Sequence, residues 1–319
     1  KIDSVGRFAK RLERKGLLDE AKAIISWQEG GQLGFDPQER IIEDNDLVSA
    51  TSLYQGAALT HSVGRVIVRA KSRRVTNRAT GFLVSPRLLM TNYHVLRSKD
   101  QALESSVQFF HWEDYKGRVG DILEFSFEPN RFFESNKDLD FALVAVQERS
   151  DGCSLADLGW SPLIAESGKA INGEPVNIIQ YPKGEYQKVA LRENNVVDAE
   201  EGGDFLYYVA DTQRGSSGSP VYNVDWELAA LHSSGVARRD GEGKILMRDG
   251  TRWNGELGRD DDIDWIANEG VRVSSIVKYL RGLSEERDEE WTAFLGECFK
   301  VAPDFDSILP CAGKRRGKR

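Results

Sequence analysis

The sequence is short of the residues that would place it in several large classes of protein. Its three cysteines, Cys153, Cys298 and Cys311, are an odd number at wide spacing in 319 residues. They indicate reduced thiols in a reducing compartment and not a disulfide framework. The four histidines are scattered and no Cys/His pair has the spacing of a zinc ligand set, so no metal is assigned. Long apolar runs are missing too. The longest, such as Val66 to Val68 or Phe141 to Val146, fall far short of the roughly 20 residues that cross a bilayer. Positive charge is not in excess: 51 acidic residues stand against 43 basic ones, a formal net charge of −8. That excludes a general nucleic-acid or membrane-surface binder, because those partners select a basic face; only Lys314 to Arg319 is strongly basic. The expectation is a cytoplasmic globular protein that needs no cofactor.

What is present is 40% hydrophobic residues, enough to bury one large core or two modest ones. From Val5 to Gln28 apolar residues recur at helical spacing until Gly30 and Gly31 stop them. Asp46 to Ser62 reads as a second, shorter helix. Together these make a helical N-terminal extension, residues 1–63. From Gly64 the texture turns to short β-rich runs between turn residues: Arg65–Ala70, Gly81–Val84, Leu88–Asn92, Val107–Trp112, Phe141–Val146, Val176–Gln180, Gln187–Leu191, Phe205–Ala210, Pro220–Asn223 and Glu227–Leu231. Many short strands without long intervening helices point to barrels or sandwiches. The Gly/Pro-rich stretch from Ser150 to Gly173 is the natural seam between two β halves, about 64–150 and 173–275. Helical spacing returns at Val273, Ile276, Val277 and Leu280 and again over Glu285–Phe299, so residues 283–319 are set apart as a C-terminal helix and basic tail.

The sharpest local signal is Gly215-Ser216-Ser217-Gly218-Ser219-Pro220. A hydroxyl between glycines at a tight turn is an exposed nucleophile, and consecutive backbone N–H groups can face a developing oxyanion. This segment resembles the Gly-Asp-Ser-Gly-Gly-Pro signature of trypsin-like peptidases, and still more its form in bacterial glutamyl-endopeptidase-like relatives. The resemblance makes Ser217 the nucleophile and puts the oxyanion donors on Gly215 and Ser217. Thr91-Asn92-Tyr93-His94-Val95 is similar to the family's histidine motif, and Asp140-Phe141-Ala142-Leu143 to its Asp-x-Ala-Leu, with Asp138 a competitor two residues earlier. The order His, Asp, Ser is that of the chymotrypsin clan. The fold so implied is mostly β: a chymotrypsin-like double β-barrel over 64–282, carrying a serine endopeptidase that acts on a protein or peptide substrate.

Two residues compete for the primary specificity pocket. Asp211, six positions before Ser217, implies a preference for Arg or Lys by resemblance to trypsin. His232, in Leu231-His232-Ser233-Ser234-Gly235, matches the histidine with which glutamyl endopeptidases bind an acidic side chain. Ser233 and Gly235 belong to the same substrate-binding segment, where the Gly235 backbone is expected to pair with the peptide as an added strand. Ser216 stands where trypsin zymogens keep the aspartate that binds a new N-terminus, so control by other means is expected, with the N-terminal extension a candidate dock for a regulatory partner. The acidic run Asp260, Asp261, Asp262 and Asp264 lacks the Gly-containing pattern of a calcium loop and reads as a solvated loop. The competing class is a catalytically silent peptide-binding module on the same fold.

Overall fold

The computed structural model describes residues 49–300, except 115, 150–153, 192–193, 200–201, 256–259 and 285–286. The helix, or helix pair broken near Gly16, expected over Val5–Gln28, together with Cys153, Cys311 and the basic tail, lies outside the described residues. Fourteen strands among the described residues form two seven-stranded antiparallel sheets. This bears out the expectation of a mostly-β, double-barrel fold.

The first sheet uses β1 (Val63–Arg69), β2 (Val75–Leu83), β3 (Leu88–Thr91), β4 (Ser106–Phe109), β5 (Leu123–Ser126), β6 (Phe133–Asn136) and β7 (Phe141–Ala145), in the order β5-β4-β1-β2-β3-β7-β6. It curls until the end of β5 reaches β7. Phe127 bridges Val146, and the Gln147 and Glu128 amides donate to Ser126 and Ala145. A closed sheet leaves few unpaired edge groups. The second sheet uses β8 (Asn177–Gln180), β9 (Lys188–Ala190), β10 (Val196–Asp198), β11 (Phe205–Tyr208), β12 (Pro220–Tyr222), β13 (Leu228–Ala237) and β14 (Trp265–Arg272), in the order β10-β11-β14-β13-β12-β8-β9. It closes in the same way, through the Pro175–Asn195 bridge ahead of β8 and β10.

Strand alternation explains where the cores sit. In β7 all five residues are buried, but to opposite sides: Ala142 and Val144 fill the first barrel, while Phe141, Leu143 and Ala145 join the layer shared with the second. A strand buried on both faces reads as a continuous apolar run, which is why Phe141–Val146 stood out. Leu83 and Leu89 point into the first barrel; Phe82, Val84, Leu88 and Met90 point out of it against Ile179, Tyr181, Leu231 and Val271 of the second half. Tyr208, Val221 and Ile178 fill the second barrel.

Helices cover the shared layer. Helix α3 (Val273–Ser284) buries Val273, Ile276, Val277 and Leu280, the face its spacing marks, at roughly 1.5–3 kcal/mol per side chain. Helix α4 (Glu289–Glu297) starts four residues later than expected, because the Asp288 carboxylate caps the Trp291 amide at 2.8 Å. Between Ala50 and Thr60 the chain forms α1 (Thr51–Leu59), and α2 (Lys99–Glu104) follows β3. Gly56 there is a seat for Trp226: a Cβ at that position would lie 2.3 Å from the indole, whose Nε1–H donates to Ser52 Oγ at 2.8 Å. Among the described residues no helix is long and apolar enough to cross a membrane.

Candidate active site

Sheet register brings the singled-out residues together. Strand β3 pairs with β7 so that Thr91 faces Ala142. The turn after β3, carrying His94, therefore lies against Asp140, the residue just before β7. Asp140 accepts the His94 main-chain N–H on Oδ1 at 3.0 Å and the ring Nδ1–H on Oδ2 at 2.8 Å. The Asn92 side chain donates to the Asp140 carbonyl at 2.9 Å, which helps hold Asp140 at φ 42°, a left-handed conformation costly for a residue with a Cβ. Asp138 is exposed; of the two competing aspartates only Asp140 meets the histidine.

In the second barrel β12 pairs with β13 so that Pro220 faces Leu231, and the ladder continues as Gly218 N–H to His232 O at 3.0 Å and His232 N–H to Ser219 O at 2.9 Å. Ser217 is thus laid beside Ser233. The register of β13 on β14 slips between His232 and Ser234. Such a bulge re-aims a side chain, and the Ser233 hydroxyl donates across the barrels to Asp140 Oδ2 at 2.7 Å. The Ser233 hydroxyl therefore serves the carboxylate, and the Ser233 main-chain carbonyl lies 3.4 Å from Ser217 Oγ. Ser217 makes no hydrogen bond to His94 among the described residues. A χ1 rotation re-aims the hydroxyl, and such bonds are often loose without substrate.

Gly215 sits at φ +97°, and a Cβ there would be 2.5 Å from the Tyr181 carbonyl; Gly218 sits at φ +86°, with a Cβ position 2.1 Å from the Thr80 carbonyl. Only glycine fits either place. The Arg214 carbonyl accepts the Lys183 N–H, and because the peptide is trans the Gly215 N–H points the opposite way. Neither that N–H nor the Ser217 N–H has a partner among the described residues, so both are available to an anion. Ser216 is fully buried. Its hydroxyl accepts the Gln213 N–H at 3.1 Å and its carbonyl takes the Ser219 amide and hydroxyl, so its polar atoms are spent within the turn.

His232 is 3% exposed and its Nδ1 lies 2.7 Å from the Tyr208 hydroxyl. That hydroxyl has no other acceptor among the described residues, which makes it the donor and leaves the ring proton on Nε2. Burial, with a smaller push from His94, lowers the His232 pKa from 6.5 to about 4, so the ring is neutral near pH 7. A histidine depressed in the folded state contributes stability above its unfolded pKa and loses it as pH falls from about 6.5 to 4, a loss of up to about 3 kcal/mol. The melting temperature should therefore drop between pH 7 and 5, and His232→Gln should flatten that slope. Half-buried His61 and His111 shift in the same direction and supply the residual slope; an unchanged slope in His232→Gln would show that His232 is not held neutral.

Asp211, the other pocket candidate, is exposed, and its carbonyl takes the Gln180 amide at 2.8 Å. Gly235 is exposed on β13, paired with Asn268. Asp264 pairs with Arg238 at 2.6 Å, and no cluster of metal-ligating groups occurs among the described residues. Sequence reasoning missed Thr80, Tyr208 and the role of Ser233, all contacts made from far along the chain.

Residues 79–231 match the model of the trypsin-like peptidase domain family. An uncharacterized protein, y4fB, of Sinorhizobium fredii is 35% identical over 263 residues, covering 78% of this chain and 40% of that protein. Exfoliative toxin A of Staphylococcus aureus is 25% identical over 187 residues, covering 58% of this chain and 64% of the toxin. The chain thus spans less than two thirds of either curated relative. Among solved structures, the active form of the Rv3671c protease from M. tuberculosis aligns with a TM-score of 0.45 and 18% identity, covering 78% of this chain and 93% of that one. A serine endoprotease from Yersinia pestis gives 0.45 and 15%, covering 75% and 69%.

Proposed function

We propose, from the premise that residues 79–231 are a trypsin-like peptidase domain, that the chain is a serine endopeptidase with Ser217 as nucleophile, His94 as general base and Asp140 as the group that orients the histidine. The observation that carries this reading is the Asp140 carboxylate, which accepts the His94 ring, the His94 main chain and Ser233 at 2.7–3.0 Å, beside a serine whose own N–H, like that of Gly215, has no partner among the described residues. A silent binding module has no chemical need for that arrangement.

The chemistry follows from the protonation the site enforces. With Asp140 on Nδ1–H, Nε2 is the basic nitrogen. It takes the Ser217 proton as Oγ bonds to the substrate carbonyl carbon, and the carbonyl electron pair moves onto oxygen, where the Gly215 and Ser217 N–H groups receive it at roughly 3 kcal/mol per donor. Collapse of the intermediate breaks the C–N bond, and the imidazolium hands its proton to the leaving amine. Water then repeats the sequence on the acyl-enzyme and frees Ser217.

A preference for an acidic side chain at the cleaved residue is supported by His232, whose ring carries its proton on Nε2 as a donor and lies near enough to His94 and Asp140 for their charges to act on it. The competing basic preference would rest on Asp211, which is solvent-exposed. Ser216, with no acid to pair with a new N-terminus, supports control through a partner or through the N-terminal extension, and the cysteine usage supports a cytoplasmic setting. Cleavage of labelled casein by the wild type and its loss in Ser217→Ala tests the activity. Peptides varied at the cleaved residue test the pocket: Glu and Asp should be cut best, and exclusive cutting after Phe, Arg or Lys would remove His232 from the account.

A further inference from the structure

The described residues offer few sites outside the triad. A small cleft under α1 is lined by Leu59, Trp160 and Trp226, with nothing to say what fills it. The feature that carries an inference is a fully buried polar side chain in the first barrel, Thr80 of β2, whose partners lie in the second.

We infer that Thr80 is a positioning residue for the oxyanion-binding peptide: its hydroxyl fixes the Gly215 carbonyl and thereby holds the Gly215 N–H toward the substrate. The inference rests on the serine-peptidase reading of the site and deepens it. Thr80 Oγ–H donates to Gly215 O at 2.8 Å, and Thr80 N–H donates to Ser217 O at 2.9 Å. One residue of the barrel that carries His94 thus grips the carbonyls on either side of Ser216. The peptide before Gly215 is fixed by Lys183 N–H on the Arg214 carbonyl, and the peptide after it by Thr80, with Ser216 N–H on Gln213 O at 2.9 Å. At φ +97° a glycine has freedom to rotate either plane, so an oxyanion donor on glycine needs both clamps.

Thr80 is itself held from several sides. Thr91 Oγ–H donates to its carbonyl at 2.7 Å, and Tyr181 N–H donates to its hydroxyl at 3.0 Å. That single acceptor bond leaves the Thr80 proton directed at Gly215. Tyr181 leads onward: Gln187 Nε2 donates to the Tyr181 hydroxyl and to the carbonyls of Thr60 and Val63, and Tyr181 Oη–H reaches Val63 O at 3.3 Å. The bonds run from the segment joining α1 to β1, through Gln187, Tyr181 and Thr80, to Gly215. This gives the end of the N-terminal extension a physical connection to the oxyanion peptide in a chain whose Ser216 cannot provide an ion pair.

Oxyanion donors act in the transition state more than in the ground state, so the effect belongs to kcat. The test is steady-state kinetics of the 319-residue wild-type chain, Thr80→Ser, Thr80→Val and Gln187→Leu on one fluorogenic peptide, with melting temperatures alongside. Thr80→Val is expected to lower kcat 10- to 100-fold with KM within twofold, Thr80→Ser to keep kcat within about threefold of wild type, and Gln187→Leu to lower kcat several-fold. If Thr80→Val does not fold, Thr80→Ala takes its place with the same expected loss. A valine or alanine variant with wild-type kcat, an equal loss in Thr80→Ser, or a change confined to KM would overturn the inference. Wild-type activity that survives Ser217→Ala would instead remove the peptidase reading, so the two failures are distinct.

Discussion

Ser217→Ala, His94→Ala and the double variant should all fall to one floor, about 10⁶-fold below wild type in kcat. The reason is chemical dependence: an alanine at 217 leaves His94 no proton to take, and an alanine at 94 leaves the Ser217 hydroxyl a weak nucleophile near its unperturbed pKa. Once either is lost the other contributes nothing, so the two effects do not add. The floor itself should lie above the uncatalysed rate, because the Gly215 and Ser217 N–H groups and the substrate-binding strand remain. Initial rates on labelled casein measure this. A His94→Ala variant retaining a hundredth of the activity would mean that another base serves Ser217, and an additive double variant would mean that the two side chains work independently.

The second large effect is at the carboxylate. Asp140→Asn should lower kcat by about 10⁴-fold with little change in fold. The Asp140 carboxylate accepts three donors, two of them, the His94 ring and the Ser233 hydroxyl, on the same Oδ2. An amide NH₂ on that side faces two donors, and the histidine relieves the clash by moving its ring proton to Nε2, the nitrogen that has to receive the serine proton. Ser233→Ala removes one of three donors and leaves the tautomer intact, so a loss near tenfold is expected. Asp138→Asn, altering an exposed side chain two residues away, should leave kcat unchanged. If Asp138→Asn proved the damaging change, the assignment of the orienting acid would be wrong.

The parts of this molecule that can be read from sequence are those whose cause is local. Phe141–Val146 announces a strand because both faces are apolar, and Val273, Ile276, Val277 and Leu280 announce a helix because one face is. The strands that escaped reading are β5, β6, β10 and β14, and each has a reason. β5 alternates buried and exposed residues over only four positions. β6 is Phe-Glu-Ser-Asn, and its Glu134 is buried through an ion pair with Arg287 at 2.6 Å, a contact invisible to hydropathy. β10 has three residues, two of them exposed. β14 carries Asn268, Glu269 and Gly270 and is made a strand by pairing with β11 on one side and β13 on the other.

The site divides the same way. Ser217, His94 and Asp140 sit in motifs whose neighbours name them, and the choice of Asp140 over Asp138 rests on two residues of local frame, Ala142 and Leu143. Thr80 has no such frame: its partner Gly215 lies 135 positions away, and nothing in Ala79-Thr80-Gly81 speaks of an oxyanion peptide. By resemblance Ser233 and Gly235 are expected in a substrate-binding segment; the bulge that turns the Ser233 hydroxyl to Asp140 is a property of the β13–β14 register. The motif around His232 suggests a pocket residue, but the neutral state of its ring comes from burial beside Tyr208, which is set by the folded barrel.

The most direct test of the central claim is covalent labelling of the full chain with a fluorophosphonate probe, followed by mass spectrometry of its peptides. The account predicts one adduct per chain, on Ser217, abolished by Ser217→Ala and strongly slowed by His94→Ala. An adduct on another serine, or labelling undiminished in Ser217→Ala, would contradict it.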